Sequence, residues 1–209
     1  MTKRAYCTSS AVAMAGMSLA TSYVAQADIV AIDPFAGSAN DTFDQYNNVM
    51  ALQTLDVFGG LGTISNLTED GAIKVEWSSS FGGDLVTPIS GMMMGQLGIG
   101  QWDFNTPIIR FGGWWENNSG VDDATVEFYD IDQKLIGVMN ADVKVAAQQW
   151  QWNGWQSDVP ISSIVVTGNG IINGFLWYEN MQIDVVPTPG AIVLLGLAGL
   201  CGRRRRREK

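Results

Sequence analysis

The sequence predicts an all-β protein, an antiparallel β-sandwich or jelly roll, with an N-terminal signal peptide and a short C-terminal transmembrane-like helix. Three observations predict it. From about residue 70 onward, apolar side chains recur at every second position in short runs. Gly, Asn and Asp clusters such as "TGNGIING" and "DIDQK" separate those runs. No sustained helical periodicity exists outside the two ends of the chain.

Residues 1–27 have the order of a secretory leader. Lys3 and Arg4 make a positive start, Ala11 to Leu19 form an apolar small-residue stretch, and Ala25-Gln26-Ala27 fits a small-x-small cleavage site. Cleavage after Ala27 would start the mature domain at Asp28. The domain then runs over 28–185, long enough at about 160 residues for one compact core. Its first part, to Asn66, is weakly patterned, with Phe43, Tyr46 and Phe58 as apolar anchors. Ile73, Val75 and Trp77 share one face of a predicted strand, as do Ala124, Val126 and Phe128 of "ATVEFYD". "KLIGVM", "SSIVVTG", "GFLWYE" and "MQIDVV" are the further strand candidates, while "GMMMGQLGIG" reads as an apolar loop or a buried Met cluster.

The last 24 residues, 186–209, divide into three parts. Val186-Pro187-Thr188-Pro189-Gly190 is a Pro-bracketed motif, 191–202 is an uncharged apolar run that can form a helix, and 203–209 is basic, with Arg203, Arg204, Arg205, Arg206 and Arg207 in succession. Prolines at both sides hold the motif extended and out of helix or sheet. Consecutive arginines after an apolar run act as a stop-transfer signal, because carrying them across a bilayer is costly. Twelve residues fall short of the roughly twenty that span a bilayer, so the run is either a core helix or a segment extended by snorkelling arginines and local thinning.

Composition excludes whole classes of function. Between Asp28 and Pro187 there are four basic residues (Lys74, Arg110, Lys134, Lys144) against twenty Asp and Glu, a net charge of −16 that repels phosphate backbones. Nucleic acid is therefore not an expected partner. The chain has no His, and its two Cys, Cys7 and Cys201, lie in the leader and the tail. Disulfides, thiol nucleophiles, Cys/His zinc sites and a Ser-His-Asp triad are thereby removed from the domain. No catalytic residue is nominated, and the protein is expected not to be an enzyme.

Two residue classes remain as site candidates. All eight Trp fall between Trp77 and Trp177, several of them clustered as Trp114-Trp115 and "WQWNGW". Flat aromatic faces beside Gln149, Gln151, Asn153 and Gln156 suit sugar rings, and same-face Trp residues equally suit a sandwich core. Adjacent strand residues face opposite sides, so one of Trp114 and Trp115 is expected near the surface. With a turn at Asn153-Gly154 bringing Trp155 to a sheet edge, Trp114, Trp115 and Trp155 are the candidate carbohydrate contacts. Asp130 and Asp132 are candidate calcium ligands, and a turn-forming role accounts for them without metal. No other cofactor is indicated.

The tail resembles the PEP-CTERM sorting domain, also catalogued as the ice-binding protein C-terminal domain. The likeness rests on Val186-Pro187-Thr188-Pro189-Gly190-Ala191, the Leu- and Gly-rich run and the Arg cluster. Thr188 stands where that family's usual motif has Glu. The resemblance implies an exported protein of the cell envelope, surface or extracellular matrix, held transiently in the inner membrane. It also implies processing by an exosortase and an association with exopolysaccharide and biofilm matrix. The stretch from Ile108 to Ile183 loosely resembles the carbohydrate-binding or galactose-binding-like sandwiches that accompany such tails. The expected function is non-catalytic carbohydrate association. A purely structural or adhesive matrix protein and a polysaccharide hydrolase stand as the alternatives.

Overall fold

The computed structural model describes residues 27–78, 85–117, 123–143, 149–168 and 175–186. The leader, apart from Ala27, and the sorting motif and tail beyond Val186 lie outside these residues. Among the described residues no helix is long and apolar enough to cross a membrane. The described residues form twelve strands: β1 (Ile29–Ala31), β2 (Ala39–Asp41), β3 (Val49–Leu52), β4 (Thr54–Val57), β5 (Gly62–Asn66), β6 (Ala72–Glu76), β7 (Met93–Leu97), β8 (Ile99–Asn117), β9 (Asp123–Tyr129), β10 (Leu135–Asp142), β11 (Gln151–Thr167) and β12 (Phe175–Val185). Every pairing is antiparallel.

Two long strands build the sandwich by bending. Trp102 and Phe111 are nine residues apart on β8, roughly 30 Å along a straight strand. Their ring centroids nevertheless lie 5.4 Å apart. On β11, Ile164 pairs with Phe128 of β9, and Trp155, nine residues earlier, stacks its edge on that same Phe128 at 5.7 Å. Both strands therefore fold back, at register shifts beside Pro107 and Pro160. Proline suits such bulges because it has no N–H to offer the ladder. The first leaf orders β3-β6-β7-β12 and then the later half of β8 and the early half of β11, edged by β1. The second leaf contains β4-β5, the early half of β8, the later half of β11, β9 and β10. Corners made by strands that change sheets belong to orthogonally packed sandwiches.

The core between the leaves is aromatic. Trp102, Phe111, Trp115, Trp155, Tyr178 and Phe128 join one buried cluster. Gln96 is its buried polar tie: its amide nitrogen donates to the Gly98 and Val166 carbonyls, and its oxygen accepts from the Tyr178 hydroxyl at 2.7 Å. Burial holds the Tyr178 hydroxyl well above the ordinary tyrosine range, with the Trp102 indole opposing that rise.

The two-residue periodicity is borne out in 124–129, where Ala124, Val126 and Phe128 all point inward. Several expectations need correction. "GFLWYE" and "MQIDVV" are one strand, bulged at Asn180, whose φ is +49°. Of the two readings of the Met run, the buried cluster holds and the loop does not, with Met93 and Met94 buried in β7. Trp77 does not join Ile73 and Val75 in the core. It follows the last residue of β6 and is 63% exposed. The weakly patterned region holds five short strands. Buried Asp41 organises it by accepting the Phe43 and Phe58 N–H groups at 2.8 and 2.7 Å.

Candidate functional site: the outer face of the first leaf

The clearest correction concerns Trp155. Asn153-Gly154 is not a turn, and β11 runs straight through it. Gly154 pairs with Gly112, while the Asn153 amide bonds both the N–H and the carbonyl of Asp142, at 2.8 and 3.0 Å. Continuous strand sends Trp155 inward, where it is 2% exposed. Trp115 has no exposed surface and meets Trp155 and Tyr178 edge-on at 5.5 and 4.8 Å. Neither residue can touch a polymer, because both are core. Trp114, on the opposite face as alternation requires, is half-buried.

Registers across β11, β8 and β12 set out this outer face in rows. One row carries Gln156, Arg110 and Asp184, the next Gly154, Gly112 and Gln182, and the third Trp152, Trp114 and Glu179. A fourth continues with Glu116, Trp177, Gly95 and, on β6, Lys74. Trp152 and Trp114 meet at 5.9 Å with planes 73° apart, so the two rings face different directions. Glycine seats the first of them. A Cβ on Gly112 would stand 2.9 Å from Trp152 Cζ2, and one on Gly154 would stand 2.7 Å from Trp152 Nε1. The indole thus lies against bare backbone and donates its N–H to the Ile32 carbonyl at 3.0 Å.

Both ends of the face are covered. At one end Phe35 packs edge-on against Trp152 at 5.9 Å, and the Arg110 guanidinium sits 4.8 Å from the centre of the Phe35 ring. Arg110 also pairs with the Asp184 carboxylate, which accepts the Ser38 N–H at 2.7 Å. At the other end a second apolar cluster of Val86, Met93, Phe175 and Trp177 forms, with residues 85–92 laid over the sheet. Trp150, half-buried, donates its indole N–H to the Thr87 carbonyl at 3.0 Å. Lys74 lies 4.2 Å from the centre of the Phe175 ring and is paired with Glu76 at 2.7 Å.

Glu179 has no exposed surface. Its carboxylate accepts the N–H of Ile89 at 2.5 Å and of Ser90 at 2.7 Å, the Ser90 hydroxyl at 3.1 Å and the Asn180 amide at 3.0 Å. Desolvation raises its pKa above the ordinary glutamate value; those hydrogen bonds oppose the rise and nearby Asp44 adds to it.

What stays open between the covered ends is a strip holding Trp114, Trp152, Gln182 and Asn180, with exposed Gln156 and Asn40 at its margins. It offers indole faces to the C–H side of a ring and amides to hydroxyls. Trp152, Phe35, Arg110 and Gln182 were not foreseen from sequence. The three-residue spacing of Trp152 and Trp155 would have separated them, since an unbroken strand sends such a pair to opposite faces.

The calcium candidates are occupied by turn formation. Asp130 Oδ1 accepts the N–H groups of Asp132 and Lys134, both at 3.0 Å, and Asp132 is exposed. Among the described residues no group of three or more His, Cys, Asp or Glu is placed to hold a metal. A separate cleft of about 310 Å³, lined by Leu67, Thr68, Gly98, Ile99, Thr167 and Gly168, opens at the β7–β8 turn, away from the strip.

No family model matches this chain, and no curated protein matches it in sequence. Among solved structures it is similar to a family 11 carbohydrate-binding module of a cellulosomal cellulase of Clostridium thermocellum, at 9% identity over 74% of this chain and 97% of that one, with a TM-score of 0.35. It is also similar to the CBM29-2 module complexed with mannohexaose, at 10% identity over 68% and 98% with a TM-score of 0.33. A third is CsCBM6-3 from Clostridium stercorarium in complex with cellobiose, at 10% identity over 68% and 95% with a TM-score of 0.31. At these scores the likenesses are remote and carry no functional inference.

Proposed function

We propose that this protein is an exported, non-catalytic component of the cell surface or extracellular matrix that holds neutral polysaccharide on the outer strip of its first leaf. The carrying observation is the Trp114–Trp152 pair, left partly exposed on a sheet face although the same strands bury Trp115 and Trp155. Large aromatics kept out of an available core, beside amides, form an amphipathic surface suited to pyranose rings. The cations nearest the strip, Arg110 and Lys74, are each paired with a carboxylate, and the domain is strongly acidic. A neutral glycan suits that field and an anionic one does not, unless calcium bridges them.

The tail belongs to the same proposal. The last paired strand ends at Val185, and the Val186 N–H bonds the Pro107 carbonyl at 2.8 Å, so the Pro-bracketed motif follows directly on the folded domain. At the other boundary, Asp28 N–H bonds the Asp158 carboxylate and Asp158 N–H bonds the Asp28 carbonyl. These ties support a mature domain beginning at Asp28 and a sorting segment that starts where the last strand ends.

Affinity electrophoresis in soluble neutral polysaccharides tests the binding half. Trp114→Ala and Trp152→Ala should lose retardation while remaining folded. Parental retardation in both variants would leave a structural matrix role as the better description. Sequencing the exported chain tests the export half, with Asp28 as the expected first residue. Neutralising Arg203 to Arg207 should abolish ordered processing of the tail.

A further inference from the structure

We propose that residues 85–92 form the second wall of the polysaccharide strip, and that Glu179 is the residue that positions this wall. The inference rests on the polysaccharide reading above and extends it to a part of the surface with no Trp of its own. Glu179 is the cross-strand partner of Trp114 and, through the same carboxylate, the anchor of Ile89 and Ser90. One side chain therefore ties the wall to the open indole. Asp44 adds a second tie by accepting the Met92 N–H at 3.0 Å. The wall's own Val86 is fully buried against a cluster holding Trp177, which is also fully buried, and a Cβ on Gly95 would stand 2.4 Å from the Trp177 ring. The wall is thus packed down on its inner side. On its outer side Ile89 is 56% exposed, next to the carboxylate that flanks Trp114. An apolar side chain held there meets the edge of a sugar ring stacked on the indole.

The charged groups around Glu179 are Asp44 from the 41–46 loop, Glu116 diagonally across on β8, and Lys74 beyond Trp177 on β6, which is paired with Glu76. Burial raises the Glu179 pKa, while the bonds it accepts from Ile89 and Ser90 of the wall favour the charged carboxylate.

The test uses the full folded domain with dextran, glucomannan and xyloglucan as probes, comparing the parent with Glu179→Gln, Ile89→Ala and Trp114→Ala. Glutamine keeps one acceptor oxygen but turns an amide N–H₂ toward one set of wall donors. It should weaken binding severalfold and lower the amide-exchange protection of Ile89 and Ser90. Ile89→Ala, at an exposed position, should weaken binding with an unchanged melting temperature. If Trp114→Ala loses binding while Glu179→Gln and Ile89→Ala both bind like the parent, the wall is overturned and the strip stands. If Trp114→Ala binds like the parent, the strip itself fails, and the wall with it.

Discussion

Trp114 and Trp115 are neighbours in sequence with the same side chain, and they are placed in opposite ways. Trp115 is held by enclosure: Phe111, Trp155 and Tyr178 surround it and it has no exposed surface. On the outer face, position is set by other means. Trp152 is fixed by a seat of glycine backbone, one N–H bond to Ile32 and the edge of Phe35, and Trp114 leans on it from half-exposure. The difference teaches that one strand can supply both a core and a preset contact surface from one residue type. The two should respond to truncation in opposite ways, in stability on one side and in binding on the other.

Four substitutions break or sharpen that contrast. The largest effect belongs to the core. Trp155→Ala should cost about 3–5 kcal/mol in urea unfolding, through lost contacts and the cavity left behind. A cost near that of Trp114→Ala would erase the distinction between the faces. Next is Gly112→Ala, whose Cβ would meet Gly154 Cα at 2.8 Å and the Trp152 ring at 2.9 Å. Backbone cannot yield as a side chain can, so a loss of about 1–3 kcal/mol is expected, with a shift in Trp emission as Trp152 lifts from its seat. Trp114→Ala should cost less stability than Trp155→Ala, since its side chain keeps part of its surface in water, and its effect should appear in polysaccharide retardation. The smallest effect is electrostatic. Because the folded-state pKa of Glu179 is raised, the stability it contributes is fully present below the ordinary glutamate range and is lost as pH rises through the raised value. Urea midpoints across that interval should show this slope in the parent and not in Glu179→Gln.

Antiparallel strand was legible wherever one face meets the core and the other meets water, as along 124–129. It was not legible where both faces are covered. Residues 175–179 are buried one after another, Trp177 beneath the 85–92 segment and Tyr178 in the core, so the run carries no alternation to read. The Met run in β7 is unreadable for the same reason. Asn153-Gly154 was misleading because its turn chemistry serves other ends. Asn153 bonds a neighbouring strand's backbone, and Gly154 makes room for an indole. Opposite facing of Trp114 and Trp115 was legible from the two-residue period alone. Which of them faced out depended on the bend in β8, a tertiary feature that Pro107 marks without dictating its direction.

The pairing of early strands with late ones also orders events in time. Among the described residues β1 pairs only with β11, through Ser157, Gln156 and Trp155, and β2 pairs with β12 at Met181 to Ile183. The first strands to leave a ribosome therefore have no partners until nearly the whole domain has been made, and closing so long a loop costs entropy before any ladder bond repays it. Folding should accordingly be slow for the chain's size, on the millisecond-to-second scale of sandwiches dominated by non-local contacts. A nascent chain of this kind stays unfolded while it lengthens, which is the condition a threading export channel requires of its cargo.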